Sequence, residues 1–123
     1  MVRDHKELKA YIKAFTISIK IFELSKKFPK EELYSLTDQI RRSSRSVCAN
    51  ISEAWRFIGY PKSFKYKLSI SEAEAAETQF WLDTSFQCGY INNKEHKELR
   101  KEIDEIISLL VSMRNNYKKW CLY

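Results

Sequence analysis

From His96 to Trp120 the seam residues His96, Leu99, Ile103, Ile106, Leu110, Met113, Tyr117 and Trp120 fall in an unbroken alternation of three and four steps. Such a step keeps one narrow side of an α-helix against a neighbour, which is the seam of a bundle. A lone surface helix has no use for it, so the rest of the chain must supply partner helices. Only two glycines and two prolines interrupt 123 residues. Pro29, Gly59 with Pro61, and Gly89 with Asn92 divide the chain into four segments, predicting helices near 5 to 28, 36 to 58, 62 to 88 and 93 to 119. The second and third connections are short and force antiparallel neighbours. The expected fold is all-α, an antiparallel up-down-up-down four-helix bundle, with residues 1–123 forming a single domain.

Local signals agree with this division. Asp4 with Glu7 and Asn92 with Glu95 each place an N-cap side chain before a Glu at the third helical position, a pairing that satisfies exposed amides. In the second segment Leu33, Leu36, Ile40, Val47, Ile51, Ala54 and Ile58 share one side, while Arg41, Arg42, Arg45 and Arg56 occupy an arc on roughly the opposite one. Residues 29 to 35 have room for an extra helical turn. The first segment is apolar twice over: Leu8, Ile12, Phe15, Ile19 and Phe22 lie on one side, Ile17, Ile21, Leu24 and Phe28 on the other. One core covers only one of these stripes, so Ile17, Ile21, Leu24 and Phe28 are expected at an interface with another subunit. The alternative is that residues 29 to 35 fold over them.

Charge points outward to a partner. The formal net charge is +6, but residues 68 to 93 contain no Lys or Arg and carry Glu72, Glu74, Glu77 and Asp83. A basic object with one acidic helix suits a polyanion or a complementary protein. No apolar run approaches the roughly 20 residues that span a bilayer, and the first residues lack a signal-peptide core, so no membrane association and a cytoplasmic location are expected. Cys48, Cys88 and Cys121 have neither metal-ligand nor disulfide-framework spacing and read as reduced packing residues.

Enzyme signatures are sparse. No Glu is followed by His at the third position, as inward-facing di-metal bundles require, and there is no glycine-rich phosphate loop or serine elbow. No cofactor or metal is expected. Asn50, Glu53 and Glu77 are the polar groups nearest the predicted core. Their expected role is a hydrogen-bonded network fixing helix register, the alternative being a small-molecule or metal pocket. Arg41, Arg42, Arg45 and Arg56, extended by Lys62, Lys65 and Lys67 just past the turn, are the candidate contacts to a phosphate backbone, with Tyr60 and Tyr66 nearby for stacking. A merely solvated helix face is the competing reading.

The run Leu36-Thr37-Asp38-Gln39-Ile40-Arg41-Arg42-Ser43-Ser44-Arg45-Ser46-Val47, followed by Ala49-Asn50-Ile51-Ser52-Glu53-Ala54, resembles the hallmark of the bacterial "four helix bundle" proteins. These are also called 23S rRNA intervening-sequence proteins and were once mislabelled as a ribosomal protein. Glu77-Thr78, Trp81-Leu82-Asp83 and Gly89-Tyr90-Ile91 form a second matching block. Ala54 stands where many members carry Gly, and Ser71-Glu72 replaces a common Gly-Ser. The resemblance implies a left-handed antiparallel bundle assembled as a homopentamer, without established catalysis. Similar proteins encoded with diversity-generating retroelements bind nucleic acid and a reverse transcriptase through basic surfaces. The function expected here is therefore a non-enzymatic homo-oligomer binding RNA or DNA, with a nucleic-acid-processing protein as a further partner. The alternatives are a protein-only scaffold and, third, an enzyme using Glu53 and Glu77.

Overall fold

The computed structural model describes residues 4–5 and 8–121. Four long helices, α1 (Lys9–Ser25), α2 (Leu36–Arg56), α3 (Pro61–Gln87) and α4 (Asn93–Asn115), are followed by a single turn, α5 (Tyr117–Trp120). No strand occurs among the described residues. Each long helix packs against the next and α1 closes on α4, whereas the diagonal pairs make no close backbone approach. That is the expected four-helix bundle. No described helix is long and apolar enough to cross a membrane.

The boundaries follow local chemistry. Asn92 and Glu95 form the expected capping box: the Glu95 amide donates to Asn92 Oδ1 at 2.8 Å and the Asn92 amide to Glu95 Oε1 at 2.9 Å. The partner expected for Asp4, Glu7, lies outside the described residues; α1 begins after Leu8 with no side-chain cap. At the end of α3, Gly89 adopts φ 77°, where a Cβ would be strained. There its amide reaches the Phe86 carbonyl at 3.0 Å and the Tyr90 amide reaches the Ser85 carbonyl at 2.8 Å, closing the helix. Residues 30–32 form the extra turn as one turn of 3-10 helix. Its Glu32 fastens two connections, accepting from Ser35 Oγ at 2.6 Å and from the Tyr90 hydroxyl at 2.8 Å. The fourth helix is shorter than its seam predicts, breaking at Asn116, whose side chain donates back to the Ser112 carbonyl at 2.9 Å.

The core corrects the reading of α1. Ile17 and Ile21 are each 1% exposed, Phe28 is buried, and Leu24 packs against the same cluster, so the four residues expected at a subunit interface are covered by their own chain. The outward stripe is the other one, except for its first residue Leu8, which is buried: Ile12 is 51% exposed, Phe15 50% and Ile19 49%. Ala10 and Ala14, fully buried in line with Ile17 and Ile21, explain the choice. Small side chains let the α1 backbone lie close to its neighbours, and interiors are packed by fit rather than by side-chain bulk. Residues 29 to 35 are not needed to cover Ile17 and Ile21.

Candidate nucleic-acid interface

Most charges are spent between helices. Lys13 and Lys20 of α1 and Lys27 just past its end, one every seven residues, reach Glu105, Glu102 and Glu95 of α4 at 3.0, 2.7 and 3.0 Å. Between α3 and α4, Asp83 takes His96 Nε2 and Arg100 Nη1, each at 2.7 Å, and Glu72 takes Arg114. Burial would raise the Asp83 carboxyl, but the His96 and Arg100 contacts outweigh it and hold the group below its usual value.

The four arginines of α2 divide into two kinds. Arg42 is spent on structure: Nη1 meets Glu74 Oε2 at 2.7 Å, Nη2 meets Glu77, and Nε donates to Gln39 at 3.1 Å. The Glu77 and Glu74 hydrogen bonds raise the guanidinium above its ordinary value. Arg42 is an α2–α3 strut rather than the phosphate ligand expected from its place in the arc, because α3 lies within its reach. Arg41, Arg45 and Arg56 form no ion pair among the described residues. Arg41 and Arg45 lean over the Phe22 ring at 4.8 and 5.3 Å, where Lys26 also stands at 4.9 Å. The ring's negative face holds cations that would otherwise repel one another, worth about 0.5–1 kcal/mol each at an exposed site. Arg41 Nε additionally donates to Ser25 Oγ at 2.7 Å. With Leu33, Tyr34 and Asp38, all three of Arg41, Arg42 and Arg45 line an open groove of about 640 Å³. Arg56 lies on the same stripe, fifteen residues or about 22 Å further along α2 from Arg41.

Lys62 is exposed on the first turn of α3. Lys65 is half-buried, its Nζ 4.1 Å from the centroid of Tyr117 on α5. Each keeps its charge free of any ion pair among the described residues.

Asn50, Glu53 and Glu77 do not form the expected shared network. Asn50 bonds within its own helix, donating to the Ser46 carbonyl at 2.9 Å and the Ser46 hydroxyl at 3.0 Å. Glu53 is exposed and paired with Lys67 at 3.0 Å. Glu77 accepts from Trp81 Nε1 at 3.0 Å and from Arg42; the indole donor leads in holding its carboxyl below the ordinary value, against burial. Glu53 and Glu77 sit at different levels of the α2–α3 seam, level with Lys67 and Arg42 respectively. They are not a carboxylate pair, which removes the arrangement the enzyme reading needed. Among the described residues no cluster of His, Cys, Asp or Glu is placed to hold a metal.

The polar register device is elsewhere. Along α3 the buried positions are Phe64, Leu68, Ser71, Ala75, Thr78, Leu82 and Ser85, a three-four seam with a hydroxyl every seventh residue. Ser71 Oγ donates to the Val47 carbonyl across the seam at 2.7 Å, and Thr78 Oγ1 bonds Ser43 Oγ at 2.9 Å. The alternation was visible in the sequence, hidden because small hydroxyl residues do not register as apolar.

The family model described as 23S rRNA-intervening sequence protein matches residues 6–112 of this chain. A solved structure of a protein of unknown function from the S23 ribosomal protein family of Bacteroides thetaiotaomicron VPI-5482 is 30% identical, with a TM-score of 0.78 over 86% of this chain and 95% of that one. No curated protein is significantly similar in sequence.

Proposed function

Because this chain belongs to the 23S rRNA-intervening sequence protein family, we propose that it is a non-enzymatic, self-associating helical bundle that binds RNA or DNA through the basic face of α2. The observation that carries the reading is the contrast within one helix. Arg42 is neutralised by two carboxylates, whereas Arg41 and Arg45 lie over Phe22 without an ion pair among the described residues, with Arg56 further along the stripe. Guanidinium groups fixed in that state match phosphate oxygens bidentately without first breaking an ion pair. Self-association is supported by the outward stripe of Ile12, Phe15 and Ile19, three large apolar side chains half in water along one helix face. The family resemblance implies five copies and a nucleic-acid-processing partner.

The same apolar stripe favours a second reading, a scaffold that binds protein alone. Titration with duplex DNA and structured RNA at several salt concentrations separates the two. Binding that weakens steeply with salt and is lost on replacing Arg41, Arg45 and Arg56 by Gln supports the first. No binding at low salt leaves the scaffold.

A further inference from the structure

Residues 54 to 71, which join α2 to α3, and residues 111 to 121, at the end of α4 and in α5, contain no acidic residue. The fold brings them together. Trp120 meets Trp55 edge-to-face with ring centroids 6.4 Å apart, and Tyr117 lies under Lys65. The break at Asn116 is thus what seats α5 against the α2–α3 end of the bundle. Of the cations gathered there, Lys67 is paired with Glu53 and Arg114 with Glu72. Arg56, Lys62, Lys65, Lys118 and Lys119 have no ion pair among the described residues.

Aromatic rings stand in water among these cations. Tyr60 is 67% exposed and Tyr66 65%. Phe57, also exposed, packs edge-on to Tyr60 with centroids 6.4 Å apart, which fixes the tyrosine ring on the tip. The faces left open are broad, apolar and bordered by positive charge.

From this juxtaposition we propose that the α2–α3 end of the bundle is a stacking platform for unpaired nucleotides. It binds single-stranded nucleic acid, with bases laid on Tyr60 and Tyr66 and the backbone neutralised by Arg56, Lys62 and the two lysines of α5. Duplex offers phosphates but no free base faces, so the platform selects unpaired segments, while Arg41 and Arg45 contact phosphate of either form. Because every base has a π-face, the preference is for strandedness and not for sequence. The inference rests on the reading that this chain binds nucleic acid and adds which form and where.

The test compares an oligouridylate, an oligodeoxythymidylate and a blunt duplex of equal length, titrated against the full chain and its variants. Tyr60→Ala and Tyr66→Ala should each weaken single-strand binding by roughly tenfold. Both should leave duplex binding and oligomer mass unchanged, and Tyr60→Phe should restore the loss. The oligouridylate and the oligodeoxythymidylate respond alike if stacking dominates; a loss confined to one shows that the sugar or the thymine methyl, not the shared base face, sets the affinity, and overturns the platform. Unchanged single-strand affinity in both alanine variants overturns it too, as does displacement of the strand by polyglutamate as readily as by oligouridylate. Duplex binding without single-strand preference sinks this inference alone, whereas no binding to any of the three sinks the nucleic-acid reading with it.

Discussion

Thr78 on α3 and Ser43 on α2 share a hydrogen bond of 2.9 Å in the middle of the core, and both residues are fully buried. Thr78 is also 2.9 Å from the Glu74 carbonyl of its own helix, so its hydroxyl links a helical turn to the neighbouring helix. Burying hydroxyls is costly unless they meet partners, and here the only register that pairs them is the native one. Thr78→Val should cost about 1–2 kcal/mol by leaving Ser43 only the Ile40 carbonyl, at 3.4 Å. Adding Ser43→Ala should recover part of that loss. Thermal denaturation of both single variants and the double variant measures the coupling; strictly additive effects would show that the pair is not acting as a unit.

The outward stripe of α1 predicts an asymmetry between two substitutions on one helix. Ile19→Glu should lower the oligomer mass in light scattering while leaving helicity intact, since the side chain is half exposed in the isolated chain. Ile21→Glu should unfold the domain, because a carboxylate in that core site costs on the order of 4 kcal/mol or more. Unchanged mass in Ile19→Glu would leave the stripe without a role in assembly.

Arg42 and Arg45, three residues apart, should behave differently. If Arg41, Arg45 and Arg56 each neutralise one duplex phosphate per subunit, log affinity falls against log salt with a slope of about −2.7. It should be steeper where several subunits engage one strand, and Arg45→Gln should flatten it. Arg42→Gln should leave the slope alone but lower stability by about 1 kcal/mol, the order of a partly exposed ion pair. A flatter slope in Arg42→Gln would place that guanidinium on nucleic acid rather than on Glu74 and Glu77.

Acid should loosen the seams. Glu77 and Asp83 are both held below their ordinary values in the folded chain, through Trp81 and Arg42 in one case and through His96 and Arg100, against burial, in the other. A carboxyl lowered on folding stabilises the native state above its unfolded value, near pH 4, and that contribution is lost as pH falls through the folded value. Denaturant midpoints should therefore drop below about pH 4. Glu77→Gln with Asp83→Asn should be less stable at neutral pH and less sensitive to acid. An unchanged pH profile in the double variant would assign acid lability to other carboxylates.

The helices and the Asn92 capping box were legible in the sequence because their causes are local: backbone bonding, a three-four period, a cap side chain three residues from its partner. The same period predicted one continuous last helix, but the Asn116 break yields α5, whose Tyr117 and Trp120 keep seam spacing while packing on Lys65 and Trp55. Side-chain bulk misled the reading of α1, where Ala10 and Ala14 mark the inner face and larger residues lie outside.

What the sequence by itself determined is the four long helices, their antiparallel order and the arc of α2 that carries arginine. Periodicity and short connections dictate these without knowledge of neighbours. Only the tertiary structure decided which arginine is free and which is spent. What a side chain reaches depends on which neighbouring helix packs on its face: Arg42 faces α3, with Glu74 and Glu77, whereas Arg41 and Arg45 face α1, with Phe22. The same holds for the stripe of α1 and the basic, aromatic end. Burial and uncompensated charge are properties of what packs against a residue, and residues 54 to 71 and 111 to 121 become one surface only when the bundle closes.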